Sequence, residues 1–188
     1  MNSICTFFNS ISELSQGEID YTNNVSTPMK FTKNTDIFYP GNRSKKFYYL
    51  TSGAAKMYQI VDGREIVYRF AFEEDFIGAV DSIFGNQPSI FGLRTVEKVE
   101  CYELNYNDIE KLYENSHNFE KIGRLLAVEC YMFEFRRTKE LQTQDATYRY
   151  RKILEAQDNL LQRVPLKDIA SYLGITQVQL SRIRRTKI

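Results

Sequence analysis

Histidine is almost missing from this chain: His117 is the single one among 188 residues. Zinc, haem and Ser-His-Asp chemistry all lean on imidazole, so most metal-centred and hydrolytic reactions lose their usual ligand or base. His117 itself stands in a polar stretch and reads as a solvated side chain or a local cap. Cysteine is scarce as well. Cys5, Cys101 and Cys130 are odd in number and far apart, which makes neither a disulfide framework nor a spaced metal cluster. They read as small apolar side chains. Long apolar runs are lacking too, none approaching the ~20 residues that span a bilayer. Residues 1–16 have no basic leader followed by an apolar stretch and a cleavage site, so no secretory signal is expected. Together these absences point to a cytoplasmic protein that is not an enzyme, with no membrane association, no metal and no identifiable cofactor.

Apolar residues make up 43% and charged residues 26%, the balance of an ordinary globular protein. The net charge of only +1 hides an asymmetry. From Arg149 onward there are nine basic and three acidic residues, a net of +6. The preceding 148 residues hold 16 basic and 21 acidic ones, a net of −5. Phosphate contacts, if made, belong to the C-terminal end.

The pattern along the chain predicts a helix over residues 6–20, with Phe7, Phe8, Ile11 and Leu14 at helical spacing. Between Met29 and Leu104 the texture changes to short runs rich in Tyr, Phe, Ile and Val: 36–39, 46–50, 54–61, 65–72 and 99–104. Turn signals separate them, among them Pro40-Gly41, Ser52-Gly53, Asp62-Gly63 and Gly85-Asn86. Asp62-Gly63 between two β-type runs predicts a tight hairpin. The acidic run Glu73, Glu74 and Asp75 reads as a solvated loop. Many short antiparallel strands suggest a sandwich or jelly-roll barrel. Asn107 or Asp108 is expected to cap a short helix through Tyr113. A long helix over 118–141 follows, apolar on two faces, which calls for two neighbours. One is the barrel; the other is a second subunit or, alternatively, the C-terminal domain. Ile122, Leu125, Leu126, Met132 and Phe133 are the candidate dimer-helix residues. A polar linker, 142–145, leads into a last helical domain.

The strongest local signal is Pro165 to Ile188. Pro165 suits a helix opening, where its missing N–H costs little. Leu166, Ile169, Ala170 and Leu173 share one face, and small Ala170 lets a second helix approach. Gly174 permits the left-handed turn, Ile175 plugs the junction and Thr176 caps the next helix. There Leu180 and Ile183 face inward. Gln177, Val178, Gln179, Ser181 and Arg182 are the candidate base contacts, because Gln pairs with adenine and Arg with guanine by two hydrogen bonds. Thr176, Arg184, Arg185 and Lys187 are the candidate phosphate contacts. The expected partner is double-stranded DNA.

At these residues the chain resembles the Crp/Fnr family of bacterial transcription regulators. The stretch Val164 to Arg185 is similar to their helix-turn-helix. Ile11 to Ser15, Phe47 to Gly53, Gly123 to Leu126 and Tyr148 to Tyr150 follow in the family's order. The resemblance implies an α+β chain: an antiparallel cyclic-nucleotide-binding-like jelly-roll barrel (1–116), a dimerisation helix (117–141) and a helix-turn-helix DNA-binding domain (146–188). It also implies a homodimer on a two-fold DNA site, with RNA polymerase as a further candidate partner. The effector pocket would be formed by Gly78, Ala79, Val80, Ser89 and Ile90. There the chain departs from the cyclic-nucleotide binders. Ala79 stands where a ribose-holding Glu is expected, no Arg is found near Ser89 and Ile90, and Arg94 comes too late. A phosphate without its guanidinium is costly to bury, so cyclic AMP bound in the usual mode is not expected; either an unknown small-molecule effector or the ligand-free fold alone would set the DNA-binding state. Val178 replaces an acidic residue that reads cytosine in relatives. The sequence ends after the recognition helix, where many relatives continue into a winged hairpin. Two readings compete: a small-molecule sensor with a vestigial DNA-binding domain, and a cupin-type barrel enzyme, which the lack of histidine opposes.

Overall fold

The computed structural model describes residues 2–157 and 159–185. Its centre is a pair of four-stranded antiparallel sheets packed face to face. One sheet has the order β1-β8-β3-β6, formed by Thr27–Phe31, Val99–Asn105, Lys46–Ser52 and Phe76–Gly78. The other has the order β2-β7-β4-β5, formed by Asp36–Phe38, Gly92–Thr95, Ala55–Val61 and Arg64–Ala71. The expected jelly-roll is present. Between the sheets lie Phe38, Tyr48, Leu50, Ala55, Met57, Ala71, Ile77, Leu93 and Val99.

Burial within the strands does not simply alternate. Tyr48, Tyr49 and Leu50 are all buried, as are Ala55, Lys56, Met57 and Tyr58. Consecutive buried residues mean that both faces of a sheet are covered. Outside the first sheet, Tyr49 and Leu104 join Ile4, Phe8, Leu112, Phe119 and Ile122 in a helical layer. Outside the second, Ala54, Val67, Phe70, Phe72 and Val96 join Tyr150, Leu160, Val164, Ile169, Ala170, Leu173 and Leu180 of the C-terminal segment.

The hairpin at Asp62-Gly63 forms as expected, with both residues at positive φ, +50° and +71°. Gly53 is under a stronger constraint. Its φ is +92°, and a Cβ there would stand 2.1 Å from the Lys98 carbonyl oxygen. Within the β4–β5 pair the register shifts at Met57/Tyr58, which leaves Tyr68 between the paired Val67 and Arg69. Such a bulge turns a side chain to a new direction.

Several expectations need correction. The single helix over 6–20 is two helices, α1 (Ser3–Ile11) and α2 (Gln16–Val25). Ser15 caps α2 by accepting from the Glu18 N–H while the Glu18 carboxylate accepts from the Ser15 N–H, and this box sets a new start. The short strands β1, β6 and β7 and the helix α3 (Val80–Gly85) carry too little periodicity to be read from sequence. Helix α4 (Tyr106–Asn115) is capped by Asn105, not by Asn107 or Asp108, because the Asn105 side chain accepts from the Asn107 N–H. Helix α5 runs from His117 to Thr143, so the expected four-residue linker shrinks to Gln144 and Asp145, and Asp145 caps α6 (Ala146–Ala156).

Candidate nucleic-acid interface

The C-terminal segment continues with α7 (Leu160–Arg163), α8 (Leu166–Tyr172) and α9 (Gln177–Arg185). Pro165 precedes α8 as its cap residue. Ile169 and Ala170 are buried, and α8 ends with Gly174 at φ +67°. The Ile175 N–H reaches the Ala170 carbonyl and the Gly174 N–H reaches Ser171, which satisfies the last carbonyls of the helix. Arg149 adds a guanidinium bond to the Leu173 carbonyl. The turn between α8 and α9 is thus held from both sides.

Helix α9 buries Leu180 and half-buries Ile183, as the spacing required. Gln177, Val178, Ser181, Arg182, Arg184 and Arg185 lie on its exposed surface. Gln179 is exposed too, but its side chain has another task. Its Oε1 accepts from the Thr176 N–H at 2.9 Å and from the Thr176 hydroxyl, while Thr176 Oγ1 accepts from the Gln179 N–H. The two residues therefore close a reciprocal cap on α9. Lys187 lies outside the described residues.

The basic excess of this segment is partly used inside the molecule. Lys152 pairs with Glu140 on α5. Arg163 pairs with Glu73 at 2.8 Å and also with Glu97, and its guanidinium sits over the Phe72 ring. The acidic run lies in the loop between β5 and β6 with Glu73 and Glu74 exposed, as expected, but two of its carboxylates are also engaged: Glu73 accepts from the Gly53 N–H, and Asp75 accepts from the Phe72 N–H. Burial pushes the Glu73 carboxyl up, but the Arg163 and backbone hydrogen bonds outweigh it and hold it below the ordinary carboxylate value. For Asp75 burial prevails and its carboxyl is raised.

A second set of charges reaches deeper. Lys56 on β4 and Asp168 on α8, both buried, meet at 3.0 Å. Lys56 also pairs with Glu65, which pairs with Arg94 at 2.7 Å, and Arg94 donates to Asp36 and to the Tyr58 hydroxyl. A row of ion pairs thus crosses the second sheet from β2 to α8. The Val67 N–H donates to the Ser171 hydroxyl of α8 at 2.9 Å. The first helix of the helix-turn-helix is fixed on the barrel, and the second is left exposed.

The resemblance's effector residues differ in burial. Gly78, Ala79 and Ser89 are buried, whereas Val80 and Ile90 are exposed. Space opens elsewhere: a groove of about 250 Å³ lies where β5, α5 and α8 meet, lined by Ile66, Tyr68, Glu134, Arg137 and Tyr172. On α5, Ile122 is buried against its own chain and Leu126 packs on the same core. Phe133 is half-buried under Arg69. Leu125, Val128, Tyr131, Met132 and Phe135 remain exposed. Among the described residues no helix is long and apolar enough to cross a membrane.

Residues 28–116 match the cyclic nucleotide-binding domain family. A curated relative, the CRP-like protein Clp of Xanthomonas campestris, is 26% identical over 88 residues, 46% of this chain and 38% of that protein. The chain therefore aligns with less than half the length of the curated relatives it matches. Solved structures cover more. The c-di-GMP-responsive global regulator CLP of X. campestris superposes with a TM-score of 0.70 at 21% identity, over 91% of this chain and 90% of that one. FixK2 of Bradyrhizobium japonicum gives 0.73 at 19% identity over 86% and 83%. A transcriptional regulator of the Crp/Fnr family from Eubacterium rectale gives 0.72 at 16% over 96% and 86%.

The chain has the Crp/Fnr fold.

The Crp/Fnr likeness read from the tail and the barrel holds across barrel, long helix and C-terminal helices alike. Sequence reading found the helix-turn-helix of this fold but missed what anchors it. Lys56, Asp168, Glu73, Glu97 and Arg163 are far apart in the chain, and no local pattern marks them as partners. One hint was present: a lysine in the middle of an otherwise apolar strand, Ala55-Lys56-Met57, needs a buried counter-charge.

Proposed function

We propose that this Crp/Fnr-fold chain is a sequence-specific DNA-binding transcription regulator that acts as a homodimer. The observation that carries this reading is the orientation of the helix-turn-helix. Its first helix is pinned to the barrel by Lys56–Asp168, and its second presents Gln177, Val178, Ser181, Arg182, Arg184 and Arg185 outward. Amide, hydroxyl and guanidinium groups on an exposed helix suit base edges and phosphates in a major groove. Val178, 62% exposed, is placed to meet a thymine methyl. With Gln179 engaged in the cap, Gln177 and Arg182 become the leading candidates for direct readout.

The dimer half of the proposal rests on α5. Leu125, Val128, Met132 and Phe135 recur at steps of three, four and three residues, the spacing of a seam between two helices, and all are exposed. Two copies joined along this seam would place two α9 helices about a two-fold axis. RNA polymerase is the further partner such a regulator would engage. A catalytic role forms no part of this reading. His117, with its side chain 89% exposed, pairs with Glu120.

Selection of bound sequences from random duplexes tests the function. A two-fold symmetric motif with half-sites about one helical turn apart is expected. A sensor with a vestigial DNA-binding domain would instead show no preference among duplexes and no salt-dependent affinity.

A further inference from the structure

The cyclic nucleotide-binding family implies a ligand whose cyclic phosphate is held in the segment from β6 through α3 to β7. Several polar groups of that segment are engaged with one another. Asp81 sits at its centre. One carboxylate oxygen accepts from the Ser89 hydroxyl at 2.8 Å and from the Ser82 N–H at 3.0 Å. The other accepts from the Ile90 N–H at 2.8 Å. Ser89 is almost wholly buried and fixed further, its hydroxyl oxygen accepting from the Phe91 N–H and its backbone exchanging bonds with Gly41 and Asn42. Among the described residues Asp81 has no ion pair with a lysine or arginine.

A second anion at the Ser89 hydroxyl and the Ile90 N–H would compete with the Asp81 carboxylate that already accepts from both, and like charges at that range repel in a partly buried site. The Arg43 guanidinium, which reaches this segment, is bonded to the Asn86 carbonyl. Arg94, the guanidinium on β7, donates to Asp36, Glu65 and Tyr58 and is held by all three. Between β5 and the long helix, Tyr68 and Glu134 line one side of the groove described above and are bonded to each other. The bulge in β5 sets Tyr68 against Phe91 with ring centroids 4.7 Å apart, and the Tyr68 hydroxyl donates to Glu134 of α5. The residues present do not fit a cyclic nucleotide.

We propose that Asp81 is a built-in counter-anion: its carboxylate stands where a ligand's anionic group would, so the barrel keeps its closed form without a cyclic nucleotide. This deepens the effector side of the reading above and does not depend on DNA binding.

The test uses the full chain. Calorimetry with cyclic AMP, cyclic GMP and cyclic di-GMP, each to about 1 mM, is expected to show no saturable heat. Asp81→Ala leaves the Ser89 hydroxyl and the Ile90 N–H without their acceptor, and its melting temperature should fall by about 4 to 8 °C. Asp81→Asn keeps the shape but turns an N–H₂ toward one donor, and should fall part of the way. Added formate, compared with chloride at equal ionic strength, should raise the melting temperature of Asp81→Ala and leave the wild type unmoved. Saturable binding of any of the three nucleotides to the wild type would overturn the proposal. So would Asp81→Ala and Asp81→Asn both melting with the wild type, or formate acting equally on variant and wild type. A protein that ignores all DNA would sink the regulator reading yet leave these calorimetric and melting outcomes intact.

Discussion

Lys56 occupies the least forgiving position in the molecule. It is buried and bonds two carboxylates, Glu65 on the neighbouring strand and Asp168 on α8. The two ends of the Asp168 pair are not equivalent. Removing Lys56 leaves Asp168 buried and charged with no cation, whereas removing Asp168 leaves Lys56 still paired with Glu65. Breaking a buried pair by deleting one partner costs about 3 to 5 kcal/mol when the survivor is stranded. Lys56→Ala is therefore expected to lose stability in that range, and Asp168→Ala clearly less, in urea unfolding followed by circular dichroism. Equal losses would show that Glu65 contributes nothing to holding Lys56. Of this arrangement the sequence displayed one sign, a lysine inside an apolar strand. The partner 112 positions away could not be inferred, because nothing local distinguishes Asp168 from any acidic residue in the first turn of a helix.

At the scale of single elements, α5 and α9 each carry a division of labour. On α5 the face toward the chain's own core includes Ile122, and the opposite face exposes Val128 and Met132. Ile122→Ala should cost about 2 to 5 kcal/mol of stability, since it leaves a cavity. Val128→Glu should leave melting of the protomer nearly unchanged but convert a dimer to a monomer in analytical ultracentrifugation. The two-faced pattern was legible in the sequence; the assignment of each face was not, because helical periodicity says that two neighbours exist and not which they are. On α9, Arg182→Ala is expected to weaken binding to the selected motif by about 1 to 3 kcal/mol and relax one base position. Lys187→Ala should weaken binding evenly across sequences and reduce the salt slope by about one. If the two substitutions gave the same profile in a sequence-resolved binding assay, the separation of base from phosphate contacts would be wrong.

Across the whole molecule the C-terminal domain is held to the barrel by an apolar contact and by charges, and the charges make the contact sensitive to acid. Glu73 and Glu65 both have carboxyls held below their ordinary value. Burial works against this at each site, outweighed at Glu73 by Arg163 and at Glu65 by Lys56 and Arg94. A depressed carboxylate contributes stability above its unfolded value, about 4.3 for glutamate, and loses it as pH falls through the folded value. Asp75 has the opposite sign. Its carboxyl is raised by burial, so protonation relieves it slightly as pH falls. The net expectation is a lower urea midpoint below about pH 4.5, because Glu18, Glu65, Glu73 and Glu100 are all held low and Asp75 alone among the shifted carboxyls is raised. Arg163→Gln should flatten that dependence by removing the Glu73 contribution. An unchanged acid profile in Arg163→Gln would assign the acid sensitivity to other groups.

The jelly-roll texture, the Asp62-Gly63 hairpin and the helix-turn-helix around Gly174 could be read from residues a few positions apart, because each depends on near neighbours in the chain. Long-range packing fixed which face of α5 stays open, that Lys56 meets Asp168, and that Arg163 bridges Glu73 and Glu97. The reason is physical. Backbone conformation and periodicity are local and short-ranged, whereas the partner of a buried charge or hydrogen bond is chosen by whichever distant segment the packing brings within about 3 Å.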